Sequence, residues 1–272
     1  MPPTHGRPAP LVCLVGTVAW TWVLLGAAAL TGRPWLSFPT VLLTLPGLVG
    51  PIVVPSALIA AGRWDESLEA FWRRSLDPRT LPMRWYAISL ALLVVLVVAP
   101  VLLSPDADLR LSVGPAAFLV VGVVAGAAEE PGWRGYGQEA LQRRVPVLAA
   151  SLVVGVFWAL WHLPMFFLDG TYQHGLGVGT TAFWSFHLAL VVGSPIAAWL
   201  YNVSGRVVFS VVWFHALGNL GNELLAEDDD GVALLVATVV AAALVATGWA
   251  WMRRTVPSRR DGDVPGTTAQ TR

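Results

Sequence analysis

Eight apolar stretches, each long enough to cross the ~30 Å hydrocarbon core of a bilayer, take up most of this 272-residue chain: residues 11–30, 40–61, 85–103, 111–128, 145–168, 178–201, 207–225 and 232–252. Glu223 is the only Asp, Glu or Arg inside them, and the histidines they contain are His162, His187 and His215. Backbone in hydrocarbon has no water to bond to, so unbroken apolar runs of about 20 residues must form helices. The expected fold class is therefore all-α, a polytopic membrane protein with about eight transmembrane helices in a single membrane domain over residues 1–252.

The 17 basic and 17 acidic residues cancel, which leaves no net field to hold nucleic acid. Every basic residue is arginine. Without lysine, P-loop phosphate binding, Schiff-base cofactor chemistry and Ser-x-x-Lys hydrolysis are excluded. Cys13 is the single cysteine; it has no disulfide partner and reads as a small buried hydrophobe. With both termini inside, alternate numbering of the loops puts fifteen arginines on the cytoplasmic side and two, Arg33 and Arg110, outside. That is the bias expected of cytoplasmic loops. The first span reads as a signal anchor, since a signal peptide's apolar core runs about 7–15 residues. Residues 62–84, with Trp64, Phe71 and Trp72 among charges, are expected to form an amphipathic helix on the cytoplasmic interface. Residues 253–272 are expected to be a polar, disordered tail. Trp85, Trp199, Trp249 and Trp251 fall near span ends, where aromatic belts form.

Ionisable side chains within a bilayer are costly, so they mark function. The fourth span runs into Glu129-Glu130-Pro131-Gly132-Trp133-Arg134, and Pro131 predicts a kink or restart near Glu130. Two adjacent carboxylates in low dielectric cannot both stay charged without a cation. Arg134, four residues after Glu130, supplies one if the turn is helical. Glu130 and Arg134 are thus assigned a structural ion pair, and Glu129 is left for chemistry. A rise of ~1.5 Å per residue from the arginine-marked boundary puts Glu129 about 21 Å deep, His162 about 24 Å, His215 about 13 Å and Asn219 about 20 Å. A carboxylate beside a histidine, both shielded from bulk water, can hold and deprotonate a water molecule, and His162 is that histidine. His215 and Asn219 share one helix face and could donate to a developing oxyanion. Equally, Glu129, His162 and His215 form a two-histidine, one-carboxylate set for a divalent metal such as zinc. The residues leave both open, although no His-Glu-x-x-His occurs.

Three motifs stand in order: Glu129-Glu130-x-x-x-Arg134 followed by Gly135, Trp158-x-x-x-His162, and His215-x-x-x-Asn219. Together they resemble the CPBP family, the CAAX-processing and bacteriocin-processing intramembrane endopeptidases, also called the Abi family, whose eukaryotic relative is the type II CAAX prenyl endopeptidase. The resemblance covers roughly residues 111–225. It implies an intramembrane endopeptidase, of metallo or glutamate type, in which Glu129 activates water assisted by His162. His215 and Asn219 would stabilise the tetrahedral intermediate, and Glu130 and Arg134 would support the site. The chain departs from the family pattern at two places: Trp158 stands where phenylalanine is common, and Pro131-Gly132 replaces bulkier aliphatics. The implied partners are the lipid bilayer and a peptide or protein substrate, either prenylated, a leader peptide or a regulatory membrane protein. Similarity to the shorter prokaryotic members, with arginine in place of lysine and Ala/Gly/Val-rich usage, implies a bacterial plasma membrane.

The remaining polar residues read as structural. His187 matches no motif and reads as a helix–helix hydrogen bonder, and Glu223 as a cap at the outer end of its helix. His174 sits in an outer loop whose Gly175, Gly177 and Gly179 are turn formers, and Asp228, Asp229 and Asp230 form a solvated outer loop. Two other function classes place charge in a membrane interior. An ion-coupled transporter would show an inverted hydropathy repeat, which the sequence lacks. A non-catalytic scaffold or immunity protein would not need four intact polar positions.

Overall fold

The computed structural model describes residues 7–103, 108–109, 115–226 and 230–257, except for the side chains of residues 101, 108–109, 115–116, 222–226 and 230–231. The architecture is helical. In chain order the α-helices are α1 (Pro10–Ala29), α2 (Val41–Leu48), α3 (Gly50–Ala60), α4 (Leu68–Leu76), α5 (Met83–Leu93), α6 (Ala99–Leu103), α7 (Pro115–Glu130), α8 (Glu139–Gln142), α9 (Val147–His162), α10 (Tyr172–Leu176), α11 (Thr181–Val203), α12 (Val208–Leu224), α13 (Asp230–Thr247) and α14 (Trp249–Met252). The strand content among the described residues is one two-residue antiparallel bridge, Asp108 with Ala226 and Leu109 with Leu225.

Three helical runs, Pro10–Ala29, Val147–Phe167 and Thr181–Val203, are long and apolar enough to cross a membrane. A fourth is obtained if α2 and α3 are counted as one span. The apolar run at 40–61 thus folds as a pair bent by 54° instead of the single helix expected. The cause is local. Pro46 and Pro51 each remove a backbone donor, and Gly47 and Gly50 let α1 approach where a Cβ would lie 2.8 Å from Leu25 and 2.9 Å from Thr21. Thr21 Oγ1 donates to the Gly47 carbonyl across this contact at 2.7 Å and accepts from Trp161 Nε1, also at 2.7 Å.

The core is built in three clusters. Leu14, Leu25, Trp133, Val154 and Trp161 tie α1 to α9. Leu81, Trp85, Leu200, Tyr201, Val208 and Val212 tie the start of α5 to α11 and α12. Cys13, Ile59, Trp64, Phe71, Tyr136 and Ala140 form the third, so Cys13 is the buried hydrophobe expected of it.

Two segments outside the apolar runs differ in part from expectation. Residues 62–84 hold the nine-residue α4, capped by Ser67 Oγ on Ala70 N–H, then a 3-10 turn at Pro78–Thr80, with α5 starting at Met83. The segment is thus not one helix, but α4 is two-faced as an amphipathic helix is: Phe71 is fully buried and Trp64 stacks on Tyr136 with centroids 4.5 Å apart, while Glu69 and Arg73 are exposed. Trp85, expected in an aromatic belt, is likewise a core residue. The start of the 253–272 tail is anchored, because Arg254 and Pro257 carbonyls accept from Val147 N and Arg206, and Val256 N donates to Gln142 O. Residues 258–272 lie outside the described residues.

Candidate active site

The site begins where α7 fails to end. Proline at 131 has no N–H for the α-helical ladder, and the helix changes character there without stopping. The run continues through a π-helical segment, Pro131–Gln138, directly into α8. A π turn accommodates the missing bond, and such segments recur at functional sites. Gly132 makes the segment fit, since a Cβ there would sit 2.3 Å from the Pro51 carbonyl oxygen of α3. Continuity keeps Glu130 and Arg134 one turn apart, and their ion pair forms at 3.1 Å with both side chains buried.

A second helix is drawn against the first by small residues. A Cβ on Gly122 would lie 2.8 Å from the Ala216 carbonyl oxygen, and one on Gly126 would lie 2.8 Å from that of Val212 and 3.4 Å from His215 Cβ. This Gly-x-x-x-Gly approach of α7 to α12 is how membrane helices bring backbones together. It places His215 Nδ1 2.9 Å from Glu130 Oε1. A carboxylate only accepts, so the ring nitrogen donates. Arg134 also donates to Ser194 Oγ of α11 at 3.4 Å, where Gly155 of α9 lets Ser194 come close.

Glu129 is 8% exposed and takes a different partner: its Oε2 accepts from Trp158 Nε1 of α9 at 2.8 Å. One turn on, His162 Nδ1 lies 2.9 Å from the Trp158 carbonyl. The carbonyl can only accept, so in the neutral ring Nδ1 carries the hydrogen and Nε2 the lone pair. The His162 ring is boxed by Trp158, Trp161 and Phe186, with centroids 6.0, 4.7 and 5.2 Å away.

The expected residues are therefore gathered, but their pairing differs from expectation. Glu130, assigned to Arg134 alone, also holds His215. Glu129, expected beside His162, is linked to it through Trp158, whose side chain it binds and whose carbonyl holds the ring. Asn219 lies one turn beyond His215 on α12, half-buried, with no side-chain hydrogen bond among the described residues. Among the described residues no three His, Cys, Asp or Glu side chains are grouped to hold a metal ion. Of the expected donors, Glu129 Oε2 is engaged by Trp158 and His215 Nδ1 by Glu130. His187 has its Nδ1 2.7 Å from the Phe183 carbonyl of its own helix. His174 lies in α10 with Nδ1 3.1 Å from the Phe166 carbonyl. Gly177 and Gly179 adopt positive φ as turn formers, whereas Gly175 is helical. The Glu223 side chain and Asp228 and Asp229 lie outside what is described.

Sequence reasoning missed two groups. The Gly122/Gly126 pair was legible as small residues four apart in an apolar run. Buried Glu139 was not, because its partners Gln142, Tyr201 and Arg206 are scattered along the chain.

Two comparisons with known proteins bear on this site. Residues 111–221 match the family model described as type II CAAX prenyl endopeptidase Rce1-like, and the three motifs all lie within that stretch. CAAX prenyl protease 2 of Methanococcus maripaludis is 28% identical over 259 residues, covering 85% of this chain and 92% of the relative.

Proposed function

We propose, taking the chain as a member of the CPBP endopeptidases with an Rce1-like core, that it hydrolyses a peptide bond of a membrane-associated protein or peptide. Glu129 takes a proton from water as that water attacks the scissile carbonyl, and returns it to the leaving amine. His162, with its Nε2 lone pair uncommitted, accepts from the same water and orients it. His215 and Asn219 donate to the oxyanion of the tetrahedral intermediate. For His215 to donate through Nε2 its ring must carry both protons, and the Glu130 carboxylate at 2.9 Å balances that charge. Two carboxylates are then matched by two cations, Arg134 and His215.

The observation that carries this reading is Glu129 itself: buried, held by a single side-chain donor among the described residues, and beside a second carboxylate that already occupies Arg134 and His215. The structural pairs are taken, and this one is spare.

In the same reading the chain crosses the membrane eight times with both termini cytoplasmic, which the fifteen-to-two arginine distribution supports. A bacterial plasma membrane is the proposed location. Prenylated and unprenylated peptides are both proposed substrates.

The test is cleavage of labelled peptides, prenylated and unprenylated, by purified detergent-solubilised protein and its Glu129→Ala variant, with and without chelator. Cleavage by the wild type alone supports the reading. A loss with chelator that zinc reverses would assign Glu129, His162 and His215 to a divalent metal instead. Equal cleavage by Glu129→Ala would overturn the mechanism.

A further inference from the structure

One residue in contact with Glu129 is not used by the mechanism above. We infer that Trp158 is a positioning residue for the Glu129 carboxylate, acting through an indole N–H that a phenylalanine at the same place could not supply. The inference rests on the endopeptidase reading and deepens it.

Four members of the site meet at Trp158. Its Nε1–H donates to Glu129 Oε2 at 2.8 Å. Its ring lies 4.6 Å from the Arg134 guanidinium carbon, in a cation–π contact. The same ring is 5.7 Å from that of His215. Its backbone carbonyl holds His162 Nδ1 at 2.9 Å.

Of these contacts only the first depends on the indole nitrogen, because any aromatic ring would pack on Arg134 and His215, and any residue offers a carbonyl. What the N–H prevents follows from charge. A carboxylate in a dry site must find a donor. Without the indole, Glu129 would turn toward Arg134 or His215 and compete with Glu130 for them. The indole thus keeps the two adjacent glutamates on separate partners and leaves Glu129's other oxygen, Oε1, unengaged and available to water.

The experiment measures kcat and KM on a peptide cleaved by the wild type, for Trp158→Phe, for 3-benzothienylalanine at position 158, and for Glu129→Ala. The sulfur analogue keeps the indole's shape without the N–H. A hydrogen bond to a charged group is worth enough that both replacements are expected to lower kcat about 10- to 100-fold. KM should stay within about twofold, as should the folded fraction after thermal challenge, since the ring contacts persist. A kcat within about twofold of wild type in the sulfur analogue overturns the inference. So does a loss fully accounted for by unfolding, or one carried by KM. If the wild type cleaves nothing, or Glu129→Ala cleaves as fast, the endopeptidase reading itself fails, and the wild-type and Glu129→Ala arms make that failure distinct.

Discussion

Two buried carboxylate sites lie on one continuous helical run and handle charge in opposite ways. Glu139, 1% exposed, has both oxygens doubly engaged: Oε1 by Arg206 at 2.8 Å and Arg143 at 3.6 Å, Oε2 by Tyr201 at 2.9 Å and Gln142 at 3.1 Å. Glu129, ten residues earlier, has one side-chain donor among the described residues. Glu139 joins α8 to the C-terminal part of α11 and the turn before α12, beside the anchored residues 253–257. A carboxylate so fully satisfied has nothing left to offer a reactant, and it fixes where the helices end. Partial satisfaction is tolerated only where something else repays it, and at Glu129 that is proposed to be chemistry.

The largest expected effects come from exchanging the two behaviours. Glu129→Gln keeps the shape, removes the base and should cut kcat about 10²- to 10⁴-fold, with thermal unfolding in detergent unchanged. Glu139→Gln should do the reverse. Its amide oxygen can still accept from Arg206, but the negative charge that balances Arg206 is lost and the new N–H₂ faces the Gln142 donor, so stability should fall by about 1–3 kcal/mol, while turnover per folded molecule stays near wild type. If Glu139→Gln is stable and inactive, the division of labour is wrong.

Glu130 tests the boundary between the two sites. Its removal strands Arg134, fully buried, and takes the partner from His215. Glu130→Ala should therefore lower both stability and turnover. The stability loss should sit near the lower end of the buried-pair range, roughly 3 kcal/mol, because Glu129 is close enough to turn to Arg134 instead. Thermal unfolding of Glu130→Ala beside the double variant with Glu129→Ala checks this: the double should be the less stable. A single variant as stable as wild type would contradict a structural role for the pair.

How much of this was legible in the sequence divides along the same line. The all-helical class followed from run length alone, and the three motifs named Glu129, Glu130, Arg134, His162, His215 and Asn219, because polar residues are conspicuous where hydrocarbon is the solvent. The ion pair of Glu130 and Arg134 needs only one turn of helix, so it too was readable. Partnerships between helices were not. That His215 docks on Glu130, and that Glu129 takes the indole of Trp158, depend on how α7, α9 and α12 cross. The α7–α12 crossing has its closest backbone approach at Gly122 and Gly126, and Gly155 brings α9 against α11, none of which the polar residues announce. Pro131 marked where the α-helix ends, but not that the chain would go on as a π turn. The bend between α2 and α3 was missed for a related reason: run length registers apolarity and is blind to Pro46, Gly50 and Pro51.

The smallest effects sharpen the comparison most finely, because they ask whether the open site depends on helix spacing in a way a saturated one would not. Gly126→Ala places a methyl 2.8 Å from the Val212 carbonyl oxygen and 3.4 Å from His215 Cβ. The first neighbour is backbone, so α12 as a whole has to give, at about 1–3 kcal/mol for an overpacked contact. His215 rides on that helix, and a shift of a few tenths of an ångström lengthens its bond to Glu130. Turnover should fall several-fold, about 1 kcal/mol in the transition state. Gly218→Ala, on the same helix but with nothing within 4 Å of its new methyl, is the matched control. It should stabilise by roughly 0.5–1 kcal/mol through helix propensity and leave kcat alone. Unfolding midpoints and kcat of the two variants decide the matter. If Gly126→Ala is as harmless as Gly218→Ala, the α7–α12 approach does not set the geometry of the site, and the Glu130–His215 bond must be held by the polar groups alone.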